Sequence, residues 1–297
     1  MLPTRQRLHA LWMREGTGGI VRRLLRRPLL RQRFVDRHAP KAAPGLEIGP
    51  SFNPLAPKAA GYRVDILDHA DAAALRAKYR DAGVDTGRIE EVDFVWHGEP
   101  LSATIGRRGC YDWIIASHVI EHTPDLVGFL LECQTLLAPA GRLVLVVPDK
   151  RYCFDHHRSL TSTGEVLDAH QQGCTRPSPG RVFDHYANAV RKGRAGQLSW
   201  HRHAPGTLHP VHDMASARDA WRAAQRGSDY VDVHNWRFTP ASFQLLIDDL
   251  RELGLLELGI IDGPTGAGGE FCACLQRGAG ERRQRMLTLG AIEREGR

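Results

Sequence analysis

The chain has 297 residues, 42% hydrophobic and 25% charged, a balance that suits one large folded domain with tails or an insertion and excludes disorder throughout. No run approaches the roughly 18 uncharged apolar residues that a membrane-spanning helix needs. The net charge of +6 sits at the ends: residues 1–40 hold 10 Arg against two acids and residues 277–297 six Arg against three, while the stretch between carries 24 basic and 29 acidic side chains, which excludes a nucleic-acid-binding core.

Residues 1–43 read as a basic, helical leader. Ile20, Val21, Leu24 and Leu25 fall at helical spacing with Arg22, Arg23, Arg26 and Arg27 between them, and Pro28 ends the run. Such a helix packs on the body with its Arg face in water, lies against an anionic membrane surface with residues 1–40 making the peripheral contact, or serves a nucleic-acid or organelle-targeting role. The N-terminus lacks an apolar run ahead of a small-residue cleavage site, so no secretory signal is read. The six cysteines include no Cys-x-x-Cys pair, and Cys272 and Cys274 alternate along an apolar stretch as small buried residues do. The expected setting is cytoplasmic, at most peripheral at the inner membrane face.

From residue 45 the pattern alternates strand and helix. Leu46-Glu47-Ile48 reads as a first strand closed by Gly49-Pro50, Tyr62 to Leu67 as a second ended by Asp68, and Ala70 to about Arg80 as a helix. Ile89 to Val95 and Tyr111 to Ser117 read as the third and fourth strands. A helix over Asp125 to Leu137 aligns Leu126, Phe129, Leu130 and Cys133 on one face. Pro139-Ala140-Gly141 then turns into Arg142 to Val147, apolar on both faces as a central parallel strand is.

Residues 148–235 break the alternation and hold nine of the 15 His. They are too long for a plain loop and predict a partly helical insertion, a His-rich lid over an acceptor. Thr239-Pro240 opens a further helix that Gly254 closes, Leu256 to Ile261 and Phe271 to Leu275 are strands placed for antiparallel pairing, and residues 277–297 read as a charged tail. The prediction is an α/β fold: a Rossmann-like, seven-strand, mostly parallel sheet with helices on both faces, over residues 44–276 and interrupted by the 148–235 insertion.

Ligands of such sheets bind at the carboxyl ends of the strands. Gly49 allows a tight turn after the first strand, but Pro50, Ser51, Phe52 and Asn53 stand where a pyrophosphate-binding loop needs further glycines, which disfavours a nicotinamide or flavin cofactor. Asp68 ends the second strand, placed to accept hydrogen bonds from ribose hydroxyls. Asp93 and Phe94 can meet an adenine amino group and ring face, and Glu47 can balance a cationic tail. An adenosine with a cationic amino-acid tail and no pyrophosphate is S-adenosylmethionine.

At Leu46-Glu-Ile-Gly-Pro50, Val64-Asp-Ile-Leu-Asp68, Tyr111-Asp-Trp-Ile-Ile-Ala-Ser-His-Val-Ile-Glu-His122 and Leu136-Leu-Ala-Pro-Ala-Gly-Arg-Leu-Val-Leu145 the sequence resembles the class I S-adenosylmethionine-dependent methyltransferases. The resemblance covers residues 44–150 and, more loosely, 237–276. It implies an enzyme that uses S-adenosylmethionine, with Glu47, Gly49, Asp68, Asp93, Phe94 and Ser117 lining the cofactor site. Ala138 and Ala140 depart from the family's Leu-Lys-Pro-Gly-Gly turn, and the first motif lacks its second glycine.

Methyl transfer to a hydroxyl requires the acceptor oxygen near the sulfonium methyl and a destination for its proton. His118, beyond the fourth strand, is the first candidate for a base or orienting group. Asp149, beyond the fifth, is read as touching acceptor or cofactor or as a plain turn residue, and His234 as returning from the insertion into the site. His201, His203, His209, His212 and Asp213 match no sharp metal signature, so no metal ligands are assigned. Trp200, Trp221 and Trp236 suit stacking on a sugar or aromatic ring. The subgroup resembled works beside glycosyltransferases, which implies O-methylation of a saccharide or small-molecule acceptor in polysaccharide or glycolipid biosynthesis, with no nucleic-acid partner. Two other readings stay open: an inactive binding or scaffold protein on the same fold, and an RNA or protein methyltransferase guided by the basic ends.

Overall fold

A computed structural model of the chain describes residues 30–227 and 229–296. Its first element is a helix over residues 30–38 (α1). There follow β1 (Gly45–Ile48), β2 (Val64–Asp68), α2 (Ala72–Tyr79), β3 (Phe94–Val95), α3 (Leu101–Ile105), β4 (Tyr111–Ser117), α4 (Leu126–Leu136) and β5 (Leu137–Pro148). Residues between β5 and the late helix hold α5 (Thr163–Gln171), α6 (Pro179–Asn188), β6 (Val190–Lys192), β7 (Leu208–Pro210) and α7 (Met214–Arg226). The chain closes with α8 (Pro240–Glu252), β8 (Leu258–Gly266), β9 (Glu270–Arg277) and α9 (Arg285–Glu295).

Seven strands form one sheet in the order β3-β2-β1-β4-β5-β9-β8. β1 to β5 are parallel, and β9 runs antiparallel to both β5 and β8. Alternate residues of β5 enter two cores. Leu143, Leu145 and Val147 pack with α4 and α8, through Leu130, Cys133, Phe243 and Ile247. Val144 and Val146 pack with Trp113, Cys272 and Cys274 and with Phe34 and Val35 of α1. Each such side chain is worth about 1.5–3 kcal/mol when fully buried. Gly45 lies opposite Trp113 in the β1–β4 register, and a Cβ there would come within 2.1 Å of the indole.

The seven-strand, mostly parallel architecture expected from the sequence is the one observed. Four local features differ from the expectation. Ile89 to Val95 contributes only Phe94–Val95 to the sheet, because the Asp93 carboxylate takes the Ile66 N–H at 2.7 Å where a backbone carbonyl would continue the ladder. β5 starts at Leu137 rather than Arg142, with Cys110 N–H donating to the Leu136 carbonyl at 2.9 Å. Residues 285–295, read as tail, form α9, which buries Thr288 and whose Glu295 accepts from the Ala241 N–H at the start of α8. Of the basic leader, α1 belongs to the body: Phe34 and Val35 are buried and Gln32 donates to the Leu55 carbonyl. The amphipathic run from Ile20 to Leu25 lies outside the described residues.

The 148–235 stretch holds three helices and the antiparallel β6–β7 pair, with a small core of its own around Val182, Ala224 and Val233. Among the described residues no helix is long and apolar enough to cross a membrane.

Candidate active site

The tips of β1 and β2 are joined. After β1 the chain turns through Gly49 and Ser51, both left-handed at φ +65° and +46°. Gly49 takes this conformation without a Cβ penalty, and a Cβ there would also press within 3.1 Å of Val119 beyond β4. The turn brings the Ser51 N–H to Asp68 Oδ2 at 2.9 Å, while His69 holds Oδ1 through its N–H at 2.8 Å and its Nδ1 at 2.6 Å. A buried carboxylate and a tight bend thus meet at neighbouring strand ends. Phe52, the next residue, packs edge-on against Tyr79 of α2, ring centroids 4.9 Å apart. The His69 ring, 48% exposed, is the partner of Asp68 with room to move aside.

The other expected cofactor residues have local duties. Glu47 is fully buried, and its two oxygens accept the N–H groups of Leu55 and Ala56 at 2.7 and 3.0 Å. Burial outweighs these hydrogen bonds and pushes its carboxyl up to about 7. It braces the loop after β1. Asp93 accepts from Ile66 and from Lys58 Nζ at 2.6 Å, and Phe94 carries the Arg107 guanidinium 5.7 Å from its ring centroid. Ser117 is half-buried at the end of β4, opposite Val146.

Beyond β4 the chain makes a charged knot. His118 is left-handed at φ +55°, rare for a residue with a side chain. Its Nε2 lies 2.9 Å from Glu270 and its Nδ1 3.4 Å from Glu121. Burial disfavours its charge, but the two carboxylates prevail and lift it to about 10. At neutral pH the ring is an imidazolium, which suits orienting a partner and not accepting a proton. Asp149 is spent on Arg151, which grips it through Nε at 2.8 Å and through Nη2, and it also caps the short turn of Lys150–Tyr152.

Residues 230–238 thread across the β4 tip. Asn235 and Trp236 N–H groups donate to the Glu121 carbonyl, the Asn235 side chain and the Tyr230 hydroxyl to that of His122, and Trp236 Nε1 to that of Thr123. This threading sets His234 beside His122, ring centroids 4.7 Å apart. His234 Nδ1 meets Asp155 at 2.5 Å, and Asp155 accepts from Arg158 at 2.7 Å; these two partners overcome burial and hold its carboxyl well below the usual range. The sequence alone assigns Glu121, Asp155 and Asp232 no role. An acid inside the apolar run Val119-Ile120-Glu121 was the available signal for the first, whereas Asp232 meets His122 from 110 residues away.

The tryptophans read as acceptor platforms divide. Trp200 and Trp236 are buried, the latter under the Arg181 guanidinium at 3.9 Å, and Trp221 alone of these is exposed. His203 and His209 stand exposed on the insertion, and Asp213 caps α7. A cleft of about 750 Å³ opens elsewhere, between α8, β8 and α9, and includes none of the expected site residues.

A family model described as a methyltransferase domain matches residues 20–224. No curated protein is significantly similar in sequence. Among solved structures, a putative Zn-dependent alcohol dehydrogenase from Rhodobacter sphaeroides is 15% identical, with 84% of this chain and 89% of that chain covered and a TM-score of 0.42. The mitomycin 7-O-methyltransferase MmcR is 16% identical over 91% of this chain and 58% of its own, TM-score 0.40. The glycopeptide N-methyltransferase MtfA, complexed with S-adenosylhomocysteine, is 12% identical over 84% and 88%, TM-score 0.39. Likenesses this loose say nothing of a shared activity.

Proposed function

Since the chain belongs to the class I S-adenosylmethionine-dependent methyltransferases, we propose that it methylates a hydroxyl of a saccharide or other small polar acceptor, in the assembly of a polysaccharide or glycolipid. Its methyl donor is S-adenosylmethionine. The observation that carries the site assignment is the hydrogen bond from Ser51 N–H to Asp68, which couples bend and carboxylate into one receptor edge. Asp68 would accept the ribose hydroxyls once the His69 ring swings away, and Gly49 leaves room for the methionine moiety beside Val119. When bound, the donor supplies an electrophilic methyl carbon on a sulfonium.

The chain's own groups then select and orient the acceptor. The mouth beyond β4 is lined by His118, His122, Tyr230 and Asp232, exposed or half-exposed, so it offers hydrogen bonds in several directions. Such a rim suits a hydroxyl-rich molecule better than a lipid tail or a phosphate backbone. His118, charged between Glu121 and Glu270, orients an oxygen and leaves its proton to another acceptor.

The test is turnover of S-adenosylmethionine against nucleotide sugars, glycolipids and small phenols, with mass spectrometry of the product. A methyl ether on a sugar hydroxyl is the expected product. Transfer to nitrogen, or to phenols alone, would overturn the acceptor assignment. An inactive binding protein on this fold is the second reading, favoured by the full occupation of Asp68 by Ser51 and His69; it predicts no binding of S-adenosylmethionine and no product from any acceptor.

A further inference from the structure

We propose that Glu121, His122 and His234 form a binding site for a divalent transition-metal ion at the tip of β4. One ligand atom from each of the three lies within 4.8 Å of the others. Ligands about 2.0–2.2 Å from a tetrahedral zinc-like ion stand about 3.3–3.6 Å apart, so closing on an ion takes side-chain shifts of up to about an ångström.

The Glu121 carboxylate is the first reason. The residue is 1% exposed, and neither carboxylate oxygen receives a hydrogen bond from the described residues. His118 Nδ1 forms an ion pair with Oε1 at 3.4 Å, which offsets part of the charge and still leaves both oxygens without a hydrogen bond. A buried carboxylate left without hydrogen bonds is costly, and a metal ion would give one of its oxygens a direct partner.

The imidazoles are the second reason. His122 Nδ1 meets Asp232 at 2.7 Å and His234 Nδ1 meets Asp155 at 2.5 Å, with Asp155 itself anchored by Arg158. Each ring therefore has one nitrogen fixed by a carboxylate and keeps Nε2 for a ligand. A carboxylate behind the imidazole is the arrangement that orients histidine ligands in metal sites. Here it occurs twice, on rings brought together from distant parts of the chain.

Two imidazoles and one carboxylate favour zinc, cobalt, iron or manganese over calcium. Three protein ligands leave a position open. His122 is 32% and Asp232 71% exposed, so the open side faces the mouth. The use of that position rests on the methyltransferase reading. The ion would polarise an acceptor hydroxyl, whose proton leaves to water at the mouth. The oxygen's electron pair then closes on the donor's methyl carbon, and the pair of the broken C–S bond stays with sulfur.

The test is titration of the full-length, chelator-stripped protein with cobalt(II), in the absence of donor and acceptor. One equivalent should bind with a visible d–d band, and zinc should displace it. Glu121→Gln and His122→Ala should each abolish the band or weaken binding at least tenfold, and Asp232→Ala should weaken it roughly 10–100-fold. His203→Ala and His209→Ala should change nothing. If Glu121→Gln does not fold, the half-exposed His122 decides. Absence of a stoichiometric band, or an undiminished band in the folded Glu121 and His122 variants, would overturn the site. Loss of the cobalt site with S-adenosylhomocysteine binding intact refutes the metal alone, and the converse result refutes the donor reading alone.

Discussion

Asp68 and Glu47 are both buried acids at the ends of neighbouring strands, yet their surroundings assign them different work. Asp68 holds Ser51 and a movable histidine, whereas both oxygens of Glu47 are consumed by the backbone of the next loop. The sequence placed both in a ligand site because position along a strand is legible and direction of a side chain is not. The environment of Glu47 has a consequence for pH. Its carboxyl is raised from 4.5 to about 7, so between those values the folded protein binds more proton than the unfolded chain. Its contribution is complete below about pH 4.5 and is lost as pH rises through about 7, a difference on the order of 3 kcal/mol. Glu47→Gln, which cannot ionise, should flatten the fall in Tm between pH 5 and 8 relative to the parent. Parallel melting curves for the two proteins would show that Glu47 does not titrate in this range. Glu121 and His234 show the other limit of sequence reading: each is visible, but their meeting depends on a return segment fixed by backbone hydrogen bonds to Glu121 and His122.

Among the elements, those with strong apolar periodicity were legible, and those that rely on side-chain substitution were not. β4, α4, β5 and α8 announce themselves through Trp113-Ile114-Ile115, the Leu126 to Cys133 face, Leu143 to Val147 and the Thr239-Pro240 cap. β3 shrinks because a carboxylate replaces part of its ladder. α9 escaped notice because it buries Thr288 and leaves Met286 and Leu287 in water, which removes the apolar stripe that marks a packed helix. The pairing of Gly45 with Trp113 is equally silent in the sequence, yet it controls how β1 sits on β4. Trp113 is fully buried, and its Nε1 donates to the Pro40 carbonyl at 3.0 Å, so the ring has nowhere to retreat. Gly45→Ala should therefore cost about 1–3 kcal/mol or more through overpacking and lower Tm by about 5 °C. A variant that melts with the parent would mean that the ring yields without strain.

At the scale of the whole molecule, charge and fold are separate matters: the sheet and its insertion form a mildly acidic body, and the net positive charge sits at the ends. Because α1 is part of the core, the membrane idea is tested by removing residues 1–29 only; a longer deletion would strip Phe34 and Val35 from beneath the sheet. The shortened protein should bind donor as before and sediment less with vesicles containing phosphatidylserine. Unchanged sedimentation would dispose of a membrane role for the leader. The donor site belongs to the sheet itself, and calorimetric titration of the full chain with S-adenosylhomocysteine tests it most directly. One equivalent should bind the parent protein, and folded Asp68→Asn or Asp68→Ala should lose at least about tenfold in affinity. No binding by the folded parent, or undiminished affinity in both Asp68 variants, would contradict a nucleoside held at the joined tips of β1 and β2.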